Sequence, residues 1–577
     1  MPPAATSGFV SGGRHAVMIE ASTWKRRLLQ VADRYRRSFS YLGLSLAALF
    51  FAASTTPSLL PRHFVVQGIL SGFALALGYA LGVSLRFGYD VLQFRRPSVN
   101  LQWWLKRGVG LIAAFTIIAC WWQMAEWQNS IRVRMQMPPL HSAYPYRMAA
   151  IALLTAAALI TTWRWILWCV RYLNGYLNHW MPPRVSWTLS AIVVGFLVTL
   201  ITNDLIVAKL IDAADQFFLN VDRVAIQVES SPTSGGDVES LVDWESIGRQ
   251  GRLFLSTGPT SDSIQATSPV SNVLQPLRVY VGLRSRPTVE ERADLALAEL
   301  IRVGGFERSN LIVATPTGTG WLDPSAVDTV EHLHHGDTAI VSMQYSYLPS
   351  WITILIDPAR STRSAKALFH AIYQHWRNLP KPTRPRLVLQ GLSLGSMGSE
   401  LSADIYTIFE DPIDGAVWSG PPFPSPNWRQ VVRNRNPDSP EWLPEYRDSR
   451  LLRFANQNQL VPADADWGPM RNVYIQHASD PMVWFSPSMA WKRPDWMKEP
   501  RGPDVSPKLR WFPLVTFLQV GFDLPLATSV PLGYGHNYSP SDYIRAWKAV
   551  TTPTGWDVKS MQQLEQYFRD RPSPDIL

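Results

Sequence analysis

Cysteine is nearly absent: the 577 residues contain two, Cys120 and Cys169, both inside apolar runs. With no thiol after Cys169, the rest of the chain has neither a disulfide framework nor a thiolate metal site, which suits any redox compartment. Internal repeats and long low-complexity tracts are also missing. So are the G-K-[ST] ending of a phosphate loop and the H-E-x-x-H zinc signature. The run HLHH at 332–335 has ligand-like spacing. No carboxylate pattern accompanies it, and a helix C-terminus favours histidine through its dipole. No metal and no cofactor is therefore expected.

Tryptophan and proline are plentiful, at 25 and 45 residues. Proline at that level breaks regular elements and implies long, shaped loops. The net charge is +9. Its basic residues cluster beside apolar runs, which favours a membrane partner over nucleic acid.

Five apolar runs precede residue 212: Tyr41–Leu60, Phe64–Leu85, Val109–Trp127, Met148–Val170 and Trp187–Ala208. Each is long enough to cross ~30 Å of hydrocarbon as a helix. Arg164 is the main charge inside them and sits near an end, as does Asp204, so transport through the helices is poorly supported. From Lys25 to run one and in the loops after runs two and four, Lys and Arg number thirteen, against four in the opposite loops. The positive-inside rule then makes the N-terminus cytoplasmic and puts everything after the fifth run on the extracytoplasmic, periplasmic face of the inner membrane. The expected organisation is a cytoplasmic segment (1–40), a five-helix, all-α transmembrane domain (41–211), a polar linker or lead-in with short strands (212–271) and a final domain (272–577).

In that last domain short β-rich runs alternate with helical ones, which predicts a doubly wound, mostly parallel sheet covered on both faces. Strands are expected at Leu277–Val281, Leu311–Thr315, Thr338–Gln344, Arg386–Gln390, Gly415–Ser419 and Asn472–Gln476. Helices are expected over Thr288–Gly304, Asp323–His335, Ser361–Leu379 and Ser396–Glu410. Gly391-Leu-Ser-Leu-Gly395 falls between a strand and a helix, the setting in which a strained turn lifts a serine hydroxyl above the sheet. Ser393 is the candidate nucleophile. Leu394 would supply a backbone N–H to an oxyanion, and the loop PTGTGW (316–321) a second one through Thr317 or Gly318. In this fold the acid and then the histidine follow the serine along the chain. His536, in a glycine-rich loop between an extended run (Leu526–Leu532) and a helix opening at Ser539, is the candidate base. Asp480, after a strand, is the candidate acid; Asp523 competes. His477 is read as structural or lining the site.

The stretches TPTGTGW (315–321), QYSYLPSW (344–351), G-x-SLG-x-x-GSE (391–400), QHASDP (476–481), EPRGPDVSP (499–507) and GYGH (533–536) resemble a family of bacterial membrane-anchored α/β-hydrolases. Its members carry a multi-span N-terminal domain and a C-terminal hydrolase-like domain with an inferred serine triad. Ser393, Asp480 and His536 match its motifs. Leu392 stands where the family leads one to expect Glu, and Tyr534 where it leads one to expect His. Two Pro- and Trp-rich insertions, Ser419–Arg471 and Trp484–Trp511, are candidate lids. The expected function is hydrolysis of an ester, or acyl transfer, on an envelope lipid, glycolipid or acylated glycan. A serine peptidase and a catalytically silent binding protein are the alternatives.

Overall fold

The computed structural model describes residues 39–94, 98–202, 209, 213, 239–404, 408–461 and 465–571. The chain divides into two compact units. One comprises the apolar helices up to Thr162; the other holds the remainder, together with Thr56–His63 and Ala125–Ala143.

In the first unit α1 (Tyr41–Ser54) and α2 (Phe64–Val91) form a tight antiparallel hairpin. Small residues let the backbones approach, as is usual between helices in lipid. A Cβ on Gly82 would overlap the backbone of Gly43, and one on Gly68 would overlap Ile151. Helices α3 (Val99–Arg132), α4 (Pro145–Leu177) and α5 (Pro183–Leu200) follow. Among the described residues four helices, α2 to α5, are long and apolar enough to cross a membrane. The first expected span falls short. Its helix has 14 residues, about 21 Å at 1.5 Å per residue. Pro57 lies just beyond its end, and the remaining apolar residues of that run, Leu59 and Leu60, are buried in the core of the second unit. The end of the fifth run, with Asp204, lies outside the described residues.

The second unit is built on a seven-stranded sheet of order β1-β3-β2-β4-β5-β7-β6, parallel throughout. The strands are β1 Leu277–Val281, β2 Asn310–Thr315, β3 Thr338–Met343, β4 Arg386–Leu392, β5 Gly415–Ser419, β6 Leu452–Ala455 and β7 Arg471–Ile475. β1, β2 and β3 are buried from end to end, as their apolar runs require once helices cover both faces. Helices α7 (Val289–Arg302), α9 (Ala359–Asn378) and α10 (Leu394–Glu400) pack together as one layer. α8 (Pro324–Leu333), α12 (Pro540–Thr551) and α13 (Val558–Asp570) pack as the other. Local chemistry fixes the ends. Thr288 opens α7 with a complete capping box, and Asp323 caps α8 ahead of Pro324.

The lead-in forms no strands where it is described. It makes a 3-10 turn at Trp244–Ser246, helix α6 (Arg249–Ser256) and a short helix at Ser261–Gln265. α6 packs against β1. Leu526–Leu532 is not extended either: a helix α11 (Val515–Asp523) runs into a 3-10 turn (Leu524–Leu526) and further turns.

Candidate active site

β2 and β4 are neighbours, with β3 and β1 to one side and the later strands to the other. That reversal of strand order is where open α/β sheets place ligands, at the carboxyl ends of the strands. The β2 end leads into the PTGTGW loop and the β4 end into Ser393.

Ser393 holds φ 58° and ψ −129°, a conformation that costs a non-glycine residue of order 1–3 kcal/mol. Its neighbours make the strain tolerable. A Cβ on Gly391 would collide with the backbone of Gly395, and one on Gly395 with the carbonyl oxygens of Thr315 and Pro316. The turn is tied to the next strand by Ser393 N–H donating to Ser419 O at 2.9 Å.

His536 sits on a turn with Gly533 and Gly535 at positive φ. Three bonds fix the turn. His536 N–H donates to Ala527 O (2.8 Å), Gly535 N–H donates to Ser479 Oγ (2.9 Å), and His477 Nδ1 meets Gly535 O (2.9 Å). The imidazole Nδ1 lies 2.6 Å from Asp480 Oδ2. Asp480 also accepts from the Tyr538 hydroxyl (2.8 Å) and from Met482 N–H (2.8 Å). Burial pushes the Asp480 carboxyl up, but His536 and the Tyr538 hydroxyl outweigh it and hold it below its ordinary range. An ionised Asp480 makes Nδ1 the donor and leaves Nε2 as acceptor.

Ser393 Oγ and His536 Nε2 are both buried, and neither has a hydrogen-bond partner. The bond between them is not made in this arrangement. Both residues line the same cavity, of about 530 Å³. Trp321, Tyr347, Trp351, Met482 and Leu524 make its walls largely apolar. Leu392 lines it too, so the position where an acid was expected adds apolar surface.

The oxyanion expectation divides. Leu394 N–H opens helix α10 and has no intrahelical acceptor, so it is free to donate. The backbone donors of Thr317 and Gly318 are already spent: Thr317 N–H donates to Trp321 O (2.9 Å) and Gly318 N–H to Ser350 Oγ (2.9 Å). What Thr317 brings to the cavity is its side chain, with Oγ1 3.4 Å from Thr319 Oγ1.

Asp523 does not reach the histidine. Its carboxylate binds Arg62 Nε at 2.7 Å and accepts from the Ser58 hydroxyl. His477 does not line the cavity. It stacks on Tyr538 with ring centroids 4.3 Å apart, and its Nε2 lies 3.4 Å from Asp542. Among the described residues, neither Pro/Trp-rich insertion contributes to the cavity wall. Trp428 and Trp496 are buried in packing, whereas Trp491 is exposed. The histidines of 332–335 point to separate partners: His332 to Thr267, His334 to Thr551, and His335 to Ser268 and Thr554.

Three other cavity residues carry no signal in the sequence. Arg249 and Gln250 come from α6, in what reads as linker. Asp323, the α8 cap, also lines the wall; burial pushes its carboxyl up to about 7 against hydrogen bonds from Ser325 and Tyr543.

A serine on a strained strand-to-helix turn, above a parallel sheet wrapped by helices, defines the α/β-hydrolase class. The chain belongs to an α/β-hydrolase family: residues 277–564 match the model "Alpha/beta-hydrolase family" and residues 55–259 match "Alpha/beta-hydrolase family N-terminus". No curated protein matches it. A solved structure, Trichoderma reesei cutinase in complex with a C11Y4 phosphonate inhibitor, is similar at 14% identity over 41% of this chain and 90% of the cutinase, with a TM-score of 0.18.

Proposed function

We propose that the protein is a membrane-anchored serine hydrolase or acyltransferase acting on ester bonds of an amphipathic acyl substrate. One observation carries the reading: Ser393 on its strained turn and the Asp480-bound His536 open on the same largely apolar cavity. A cavity of about 530 Å³ is in the range that holds a small ligand or an acyl arm. Asp480 holds the imidazole through Nδ1, which leaves Nε2 as the acceptor. Nε2 takes the Ser393 proton as Oγ attacks the ester carbonyl. Leu394 N–H and the Thr317 hydroxyl donate to the oxyanion. Collapse expels the alcohol, which takes the proton from His536. Water then releases the acid, or a second alcohol takes the acyl group, by the same path in reverse.

The catalytic domain is assigned to the extracytoplasmic face. The loops 56–63 and 125–143 fall in the same compact unit as the sheet, and basic residues crowd the intervening loops.

Labelling with a fluorophosphonate probe tests the chemistry. Wild-type protein in membranes should label, and Ser393→Ala should not. Asp480→Asn and His536→Ala should label at least 10³-fold more slowly. The open Ser393–His536 pair favours one competing reading, a silent hydrolase-fold binding protein; a folded wild type that takes no label would establish it.

A further inference from the structure

We infer that the loop Thr56–His63, between the first two apolar helices, is a positioning element for the His536 turn. The inference rests on the triad reading above. The loop is built into the hydrolase unit: Leu59 and Leu60 are fully buried in its core. Arg62 pairs with Asp523 through Nε at 2.7 Å, with both side chains fully inaccessible. Arg62 Nη2 also donates to Gln519 O (2.9 Å), Gln519 Nε2 donates to Thr56 O (3.0 Å), and the Ser58 hydroxyl donates to Asp523.

These bonds clamp the C-terminal end of α11. The next residues, Leu524, Pro525 and Ala527, form cavity wall. Ala527 O receives the N–H of His536 at 2.8 Å. On the other side of the turn, a Cβ on Gly535 would lie 3.3 Å from Leu60. The loop therefore touches the histidine turn twice, through the Asp523-to-Ala527 segment and directly through Leu60.

Packing alone would explain Leu59 and Leu60; it does not explain the ion pair. A buried pair is a poor source of stability, because desolvation offsets its attraction, but it specifies one arrangement. Here the arrangement specified is the register between the loop and the end of α11. Neither Arg62 nor Asp523 reaches the reacting atoms.

The test uses the full chain in lipid nanodiscs, with wild type, Arg62→Lys, Ser58→Ala and Arg62→Ala. Two readouts are taken: hydrogen–deuterium exchange of peptides covering 524–538 and 386–400, and the fluorophosphonate reaction resolved into probe affinity and inactivation rate. The expected result for Ser58→Ala and Arg62→Ala is faster exchange confined to 524–538. The inactivation rate should fall at least 10-fold with affinity within 2-fold. Arg62→Lys, which keeps the charge but loses the second donor, should fall between these and wild type. If Arg62→Ala does not fold, Ser58→Ala and Arg62→Lys decide. Folded variants whose 524–538 exchange matches wild type overturn the proposal, as does faster exchange with an unchanged inactivation rate. Wild type that takes no label while exchange still responds to Arg62 sinks the triad reading and leaves the mechanical link standing.

Discussion

Gly420, the residue after β5, faces the ring of His536 so closely that a Cβ there would overlap Cε1 and crowd Nδ1. It also holds a φ of 53°, which costs other residues roughly 1 kcal/mol. Gly420→Ala should therefore leave a folded domain, with stability lower by about 1–3 kcal/mol, whose histidine is pushed off line. Fluorophosphonate labelling of Ser393 should slow by about 10²-fold, the scale expected of a misplacement near 1 Å. A thermal melt separates the two effects; labelling at the wild-type rate would show that the ring position does not matter. At this scale the sequence is informative where chemistry is local. The strand, the glycines and the helix that make the Ser393 turn all lie within a few residues of it. Chain order points to Asp480 and His536. The second oxyanion donor was not legible, because the N–H groups of Thr317 and Gly318 are consumed by Trp321 O and Ser350 Oγ, and nothing within 316–321 states where Ser350 will come to rest.

Between elements, helix α10, which follows Ser393, is anchored to β7 by a buried acid. Glu400, at the helix end, accepts from the Tyr474 hydroxyl at 2.5 Å while its Oε1 has no partner. Burial pushes the carboxyl up to about 7, against hydrogen bonds from Tyr474 and from the backbone near Asn427 and Trp428. The folded state thus holds a proton that the unfolded chain releases near pH 4.5. Wild-type stability should fall as pH rises from about 4.5 to about 7, by on the order of 3 kcal/mol, and level off above. Glu400→Gln should remove that slope: melting temperatures of variant and wild type should converge near pH 4.5, and the variant should melt higher at pH 8. Parallel curves would mean that Glu400 does not titrate in this window. On the other face of the sheet, Arg278 of β1 is buried between Asp328 (2.7 Å) and Glu331 (2.6 Å) of α8. Arg278→Met leaves two buried carboxylates facing each other and should cost about 3–5 kcal/mol in urea unfolding. Element boundaries followed the strength of the sequence signal. The fully buried β2 and β3, with their apolar centres, and the capped α7 lie where their patterns put them. The edge strand β6, LRFA, is only four residues long and half-buried, with Arg453 inside it, and has no pattern to read. The run 526–532 looks extended from its apolar residues, but Pro525 and Pro531 break it into turns.

Across the whole chain, the apolar runs were legible because lipid demands length and charge-free composition, which sequence displays directly. That part of the first run belongs to the hydrolase core was not legible, since Leu59 and Leu60 are as apolar as residues facing lipid. The hydrolase domain therefore does not separate cleanly from the apolar segment. A fragment beginning at residue 239 keeps the seven described strands and Ser393, Asp480 and His536, but lacks Leu59, Leu60 and the Arg62 partner of Asp523. Losing two buried leucines costs about 2–5 kcal/mol each, and leaving Asp523 unpaired about 3–5 kcal/mol more; together these are comparable to the entire stability of a domain. The fragment should be insoluble, or soluble with no labelling at Ser393. Supplying residues 56–63 through a flexible linker should recover part of both solubility and labelling. Two other loops report on sidedness. Single cysteines at Pro138 and at Asn178, in a chain with Cys120 and Cys169 replaced by alanine, lie in loops at opposite ends of α4. A membrane-impermeant maleimide added to intact cells should modify the cysteine at 138 and spare that at 178 if the hydrolase unit faces outward. The opposite pattern would put the active site in the cytoplasm, with the fold and the triad geometry unchanged and the substrate drawn from the inner leaflet.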